Sequence, residues 1–210
     1  YILGRGSNLI VSDEGFPGIV IRLSRPFWRS VNVLKSGQIR VGGGARLGEV
    51  ANRACACGIS GFEFLEGIPG SIGGALKMNA GAMGSWIFDF VEEVTVMNDR
   101  GQIELLSKEV FRPGYRRCTG LEDRLALSAI LESPVEDTPD AIRSRMRSFA
   151  KRRRSTQPRE SSAGCIFRNP EGYYAGQLID DVGLKGKRIG GAEVSSVHGN
   201  FIVNVGDARY

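Results

Sequence analysis

The residues with the clearest capacity for chemistry are glycines gathered in three dense groups. These are Gly4-Arg5-Gly6-Ser7-Asn8, Gly67-Ile68-Pro69-Gly70-Ser71-Ile72-Gly73-Gly74-Ala75 and Asn79-Ala80-Gly81-Ala82-Met83-Gly84. Glycine admits φ > 0 and lets main-chain N–H groups come close to a ligand. Successive N–H groups in such turns form a concave anion site, to which Ser7, Asn8 and Ser71 add side-chain donors. One such group alone reads as turns. Three in one chain, two of them a few residues apart, point equally to a phosphate- or dinucleotide-binding surface, and the residues themselves leave both readings open. None follows the G-x-G-x-x-G pattern of a nucleotide-binding βαβ unit.

Metal and nucleic-acid chemistry have less support. Cys55, Cys57, Cys118 and Cys165 form no C-x-x-C pair and His198 is the sole histidine, so no metal site is expected. Reduced thiols fit a cytosolic protein. The net charge is +5, but seven basic residues and no acid lie between Arg143 and Arg154, and the rest of the chain is slightly acidic. A nucleic-acid binder spreads its charge over a broad face, so a solvated helix face is expected for this run. No stretch approaches the roughly 20 apolar residues that cross a bilayer. Tyr1-Ile2-Leu3-Gly4 lacks the make-up of a signal peptide and reads as the interior of a folded unit.

The elements that must position these residues are mixed. Short strands are predicted at Ile19–Ile21, Val31–Val33 and Ile39–Val41, separated by glycine turns. A helix is predicted from Leu47 to Cys57, with Leu47, Val50, Ala51 and Ala54 on one face and Gly58 stopping it. A hairpin follows, Val91 to Met97 and Gln102 to Leu106, and then a strand at Leu125–Leu131. Thr138 can cap a helix that starts at Pro139 and buries Ile142, Met146, Phe149 and Ala150. Ser155-Thr156-Gln157-Pro158 breaks it. A further helix, Tyr174 to Val182, and strands at Gly191–Val194 and Phe201–Val205 complete an α+β order.

The sequence resembles the UDP-N-acetylenolpyruvoylglucosamine reductase (MurB) family in a series of blocks that keep the family's order. Gly4 to Val11 with Gly15-Phe16-Pro17-Gly18 is similar to its first FAD-binding segment, and Phe64 to Ala75 with Met78 to Ala82 to its second. Tyr115-Arg116 matches a tyrosine–arginine pair, and Arg154 to Pro158 the turn into the substrate domain. Ser162 to Pro170, Gly183 to Gly186, Gly190 to Ser195 and His198 to Asn204 continue the match. The sequence thus reads as the middle and most of the end of such a protein.

The resemblance implies a vanillyl-alcohol-oxidase-type FAD-binding fold with two FAD subdomains and a smaller α/β substrate domain. Residues 1–22 would belong to the first subdomain, 23–155 to the second and 156–210 to the substrate domain. It further implies FAD held by Gly4, Arg5, Gly6, Ser7, Asn8, Leu9, Ile68, Pro69, Gly70, Ser71, Gly73, Gly74, Asn79, Ala80, Gly81 and Arg154. NADPH would reduce the flavin. Flavin N5 would then give hydride to the methylene carbon of the enolpyruvyl ether of UDP-N-acetylglucosamine, yielding UDP-N-acetylmuramate.

By the same resemblance Arg116 steadies the growing charge on the substrate carboxylate, a role its planar, permanently charged fork suits. Arg117 beside it is the lesser candidate. Cys165 occupies the place where most members carry a proton-donating serine. A thiol of ordinary pKa about 8.5 is mostly protonated at neutral pH and can donate. Tyr115, Gln157 and Asn169 would contact substrate. Gln157 stands where some members place a lysine, and the short run from Arg116 to Arg154 leaves little room for the tyrosine-bearing loop of one subgroup. Both features point to the other subgroup, type II. The family's third catalytic residue, a glutamate, falls past Tyr210, and no glutamate here matches its context. His198 reads as structural, within the Gly199-Asn200 turn. The expected partner is this small substrate, with no nucleic acid and no membrane, for a cytoplasmic monomer open to fusion or association with enzymes of the same pathway. Two rival readings are an FAD-linked oxidase of hydroxy acids or alcohols on the same fold and an arginine-rich nucleic-acid module on residues 143–154. The first lacks the Ala163-Gly164-Cys165 and Asn169-Pro170 arrangement, and the second leaves the glycine groups unexplained.

Overall fold

The computed structural model describes residues 1–34 and 37–210. Two compact units emerge: Tyr1–Arg5 with Val20–Ala150, and Gly6–Ile19 with Lys151–Tyr210.

The first unit is built on a five-stranded sheet. Its strands are Val31–Val33 (β1), Gln38–Gly42 (β2), Val91–Met97 (β5), Ile103–Ser107 (β6) and Leu125–Glu132 (β9), in the order β1-β2-β9-β5-β6 with every pair antiparallel. Helices Leu47–Ala56 (α1) and Ile72–Lys77 (α2) supply Leu47, Val50, Ala51, Ile72 and Leu76 to a core shared with Ile39, Val41, Val94, Val96 and Leu131. Two small hairpins lie between β2 and β9 in the chain, Gly81–Ala82 (β3) with Ser85–Trp86 (β4) and Pro113–Gly114 (β7) with Arg117–Cys118 (β8). The turn between β5 and β6 is held by the Asn98 side chain, whose Oδ1 accepts from the N–H groups of Arg100 and Gln102 at 3.0 and 2.9 Å.

Helix Pro139–Thr156 (α3) starts as its sequence predicts. Thr138 Oγ1 accepts the Ala141 N–H at 3.3 Å, and Ile142 and Met146 are buried. Its Arg145 reaches a buried acid. Glu63, its side chain 6% exposed, accepts from Arg145 Nε at 2.9 Å, from Ser60 Oγ at 3.0 Å and from the Gly61 N–H at 2.6 Å. Arg145 also donates to Asp137 at 2.7 Å, and that hydrogen bond holds the Asp137 carboxyl below the usual carboxylate range.

The second unit has a four-stranded antiparallel sheet of Ser161–Cys165 (β10), Arg188–Ile189 (β11), Ala192–Val194 (β12) and Phe201–Asn204 (β13), in the order β10-β13-β12-β11. Helix Ala175–Asp181 (α4) precedes β11 and is followed by Gly183 at φ +71°. The Gly6–Ile19 segment meets the end of the chain, with Tyr210 N–H donating to Asp13 Oδ2 at 3.0 Å.

Three differences from the sequence expectations stand out. Ile19–Ile21 forms no strand; Ile21 makes a single parallel bridge to Ile2, and all three residues are exposed, so no buried face rewards a ladder. Helix α2 and strand β10 arise where no element was predicted. The first holds Gly73 and Gly74, poor helix formers, and exists because Ile72, Ala75 and Leu76 find the core. The second is rich in serine and glycine, and its pairing with β13 defines it.

Candidate functional site

In the first unit, glycine turns and basic side chains converge on one cleft of about 550 Å³. Gly4, Arg5, Ser71, Gly73 and Gly74 line it, joined by Gly43, Gly44, Arg22, Arg46, Lys77 and Arg124. The glycines bring main chain to main chain. A Cβ on Gly43 would lie 2.3 Å from the Ala126 carbonyl oxygen, one on Gly44 2.0 Å from that of Leu23, and one on Gly4 3.0 Å from Ser71 Oγ. Ser71 is buried at the start of α2, yet its hydroxyl makes no capping bond to the helix.

Two observations test whether this cleft suits a dinucleotide. Arg124 Nε is buried without a hydrogen-bond partner, its nearest acid being Glu104 at 3.9 Å, which leaves a cationic donor for an anionic ligand. The cradle of Gly4, Ser71 and Gly74 also leaves the backbone open where side chains would fill it. A Cβ on Gly74 would meet nothing nearer than Ser71 Oγ at 3.7 Å. A pocket of this volume with convergent polar groups is of ligand-binding size, and the residues fit a diphosphate-bearing cofactor. The sequence reading named five of the lining residues. It passed over Gly43 and Gly44, although the Gly42-Gly43-Gly44 run was visible, and over Arg22, Arg46, Lys77 and Arg124, for which spacing gives no signal.

The remaining residues expected at the cofactor are not among those lining this cleft. Gly6, Ser7, Asn8 and Leu9 belong to the second unit, as does the exposed Arg154. Ile68, Pro69 and Gly70 form the loop ahead of α2, where Gly70 O accepts the Leu47 N–H at 3.3 Å. Asn79, Ala80 and Gly81 lead from α2 into β3. Asn79 is buried at φ +41°; its Nδ2 donates to Gly114 O at 3.3 Å and its Oδ1 accepts the Phe88 N–H at 3.4 Å.

That bond ties the glycine segment to the hairpin that carries Arg116. With β7 and β8 paired Gly114 to Arg117, Tyr115 and Arg116 form the two-residue turn. Arg116 has φ +53°, the left-handed region that a residue with a Cβ rarely adopts. Tyr115 stacks edge-on to Trp86, ring centroids 6.3 Å apart. The Arg117 side chain lies back across the hairpin, its Nε 3.1 Å from where a Gly114 Cβ would be. Below the hairpin, Lys77 Nζ donates to the carbonyls of Leu121 and Glu122 at 3.0 and 2.8 Å. Cys118 is buried there, and burial pushes its thiol up to about 11.

In the second unit Cys165 ends β10 and is half-buried. The register slips just before it. Ser162 faces Val203 but Cys165 faces Phe201, so one residue bulges out, with Gly164 at φ +80°. Asn169 is exposed, and its Oδ1 accepts the Ala175 N–H at 3.1 Å, at the start of α4. Gln157 closes α3, its Oε1 accepting from Arg153 Nη1 at 3.3 Å. His198 Nδ1 accepts the Asn200 N–H at 3.1 Å, so that nitrogen carries no proton. Burial first, and then the charge of Lys185, lowers the His198 pKa from its ordinary value. None of the four cysteines forms a disulfide, and no cluster of three or more His, Cys, Asp or Glu able to hold a metal occurs among the described residues. No helix among them is long and apolar enough to cross a membrane.

Comparison with known proteins adds a pattern at the level of the chain. Residues 1–107 match the FAD binding domain model, and residues 157–210 match that of the UDP-N-acetylenolpyruvoylglucosamine reductase C-terminal domain. The UDP-N-acetylenolpyruvoylglucosamine reductase of Caldanaerobacter subterraneus is 41% identical over all of this chain and 69% of its own length. That of Bacillus subtilis is 42% identical over 99% of the chain and 68% of its length. The crystal structure of the Thermus caldophilus reductase superposes with a TM-score of 0.88 at 41% identity, covering all of this chain and 76% of that one.

Proposed function

The chain belongs to the UDP-N-acetylenolpyruvoylglucosamine reductase family, and from that premise we propose how its own residues serve the reaction. The protein is an FAD- and NADPH-dependent oxidoreductase that reduces UDP-N-acetylenolpyruvoylglucosamine to UDP-N-acetylmuramate in peptidoglycan precursor synthesis. Its α+β architecture is that of an FAD-binding fold with a smaller C-terminal domain. When bound, FAD would supply the hydride chemistry that links NADPH to the methylene carbon of the enolpyruvyl group.

The cleft of Gly4, Arg5, Ser71, Gly73 and Gly74 would hold the FAD diphosphate. The glycines keep side chains out of that space, and Arg22, Arg46 and Arg124 would offset the charge. Arg116 binds the substrate carboxylate and gains strength as negative charge develops there, which lowers the barrier selectively. The Cys165 thiol gives its proton to the carbon next to the carboxylate, and the thiolate so formed is reprotonated from solvent. Tyr115, Gln157 and Asn169 hold the substrate, with Gln157 and the short Arg116–Arg154 run assigning the chain to the type II subgroup. Residues 1–22 and 23–155 would form the two FAD subdomains and 156–210 the substrate domain. We place the protein in the cytoplasm as a monomer.

The observation that favours Arg116 over Arg117 is its left-handed backbone at the tip of the hairpin, a conformation it shares with Asn79, Met83 and Arg112 and one that gathers where packing or function requires it. The test is the visible spectrum of the purified protein under anaerobic conditions. A flavin band that bleaches with NADPH and returns on adding the enolpyruvyl substrate establishes both half-reactions. A protein that oxidises NADPH but leaves that substrate untouched, or one that cannot be reconstituted with FAD, refutes the reading.

A further inference from the structure

Cys165 lies just past a bulge, so strand alternation does not decide where its thiol points. In a regular ladder each side chain's face follows from register alone. Here three steps along β10, from Ser162 to Cys165, match two along β13, from Val203 to Phe201. Something else must fix the chain beyond the bulge.

That role falls to one buried amide. Asn200, 3% exposed, accepts the Phe167 N–H on Oδ1 at 2.8 Å and donates from Nδ2 to the Phe167 carbonyl at 2.8 Å. Its own carbonyl accepts the Ile166 N–H at 2.9 Å. Both main-chain groups of Phe167 are therefore satisfied by a side chain acting as a strand would. On the other side, the Asn200 N–H is held by His198 Nδ1, whose ring packs edge-on to Phe201 with centroids 5.0 Å apart. That ring also lies against α4, so closely that a Cβ on Gly176 would come within 2.8 Å of His198 Cε1.

We propose that Asn200 is a positioning residue for Cys165: its amide clasps the main chain of Phe167 and thereby fixes the segment that presents the thiol. His198 supports the clasp from behind, and Asn169, bonded to the start of α4, anchors the far end of the same segment. The inference rests on the reading of Cys165 as proton donor, but concerns where the thiol is held, which is measured separately.

The test uses the FAD-loaded protein in a Cys57→Ser background, because Cys57 is exposed and would also react with alkylating agents. Asn200→Asp keeps the shape and the acceptor for the Phe167 N–H but sets a carboxylate oxygen against the Phe167 carbonyl. Three quantities are read: flavin reduction by NADPH, anaerobic reoxidation by the enolpyruvyl substrate, and the pH profile of iodoacetamide alkylation at Cys165. Expected are NADPH reduction within about twofold of the parent, reoxidation slowed on the order of 10- to 100-fold, as small displacements of a reacting group produce, and a shifted alkylation profile. Adding Cys165→Ala should erase the effect of Asn200→Asp on reoxidation, since two residues acting as a unit are not additive. Reoxidation and alkylation both unchanged in Asn200→Asp would overturn the proposal. If Cys165→Ala alone reoxidises at the parent rate, the donor assignment falls, and a shifted alkylation profile still upholds the clasp. Should Asn200→Asp fail to bind FAD, His198→Phe removes the acceptor behind Asn200 while keeping a packed ring. An unshifted profile there overturns the proposal, and a shifted one supports it.

Discussion

Arg116 occupies a conformation that costs a residue with a Cβ roughly 1–2 kcal/mol and that glycine adopts freely. The turn of a two-residue hairpin commonly recruits glycine or asparagine for this reason. A long cationic side chain at the tip of the hairpin fits the substrate role proposed for it. The expected outcome for Arg116→Gly is therefore a split. Stability to urea should hold or rise by up to about 1 kcal/mol, as strain relief outweighs the added freedom of the unfolded chain. Reoxidation by the enolpyruvyl substrate should fall by about 10²–10³, the loss that follows removal of one charge-stabilising donor. A loss of stability instead would show that the guanidinium holds the hairpin together. The resemblance singled out Arg116 over Arg117 by motif alone; the backbone angle, and the Arg117 side chain folded across Gly114, supply the physical distinction and could not be read from sequence.

Among the elements, those with strong local signals were legible. Helix α1 shows its apolar face and its stop at Gly58, the β5–β6 hairpin its Asn98 turn, and α3 its Thr138-Pro139 start. Helix α2 and strand β10 were not legible; α2 lines the cleft of the first unit, and β10 carries Cys165 in the second. Each violates its own propensity, α2 with paired glycines where Gly73 comes close to the Gly43 carbonyl, and β10 with Ser161-Ser162-Ala163-Gly164 where the strand bulges. The same holds for the anchor of α3. Arg145 looked like one more member of a solvated basic run, yet it reaches Asp137 just ahead of the helix and Glu63, 82 residues away in sequence. Arg145→Met would leave the Glu63 carboxylate buried and short of its cation. Breaking a buried pair costs about 3–5 kcal/mol, and with Arg145 40% exposed the expected loss is nearer about 2 kcal/mol. Urea titration followed by circular dichroism checks this, and a change below about 0.5 kcal/mol, the level of an ordinary surface pair, would contradict it.

At the scale of the whole molecule, the first unit contains the cleft and both tryptophans, Trp28 and Trp86, so their fluorescence reports the unfolding of the unit expected to hold FAD. A ligand that binds only the folded state stabilises it by mass action, about 2.7 kcal/mol at a free concentration 100 times its Kd. The tryptophan-detected transition should therefore shift by about that amount when FAD is added at this excess. Gly74→Leu separates occupation of the cleft from the fold around it. Gly74 lies within α2, where a Cβ meets nothing closer than Ser71 Oγ at 3.7 Å. Replacing glycine in a helix by leucine favours that helix by up to about 0.8 kcal/mol, so the FAD-free transition should stay or rise. The added side chain enters the space assigned to the diphosphate, and the shift produced by FAD should shrink to near zero. If FAD stabilised Gly74→Leu as strongly as the parent, the cofactor would bind away from the Gly4–Ser71–Gly74 cradle, and the glycines there would serve only the close packing of α2 on the sheet.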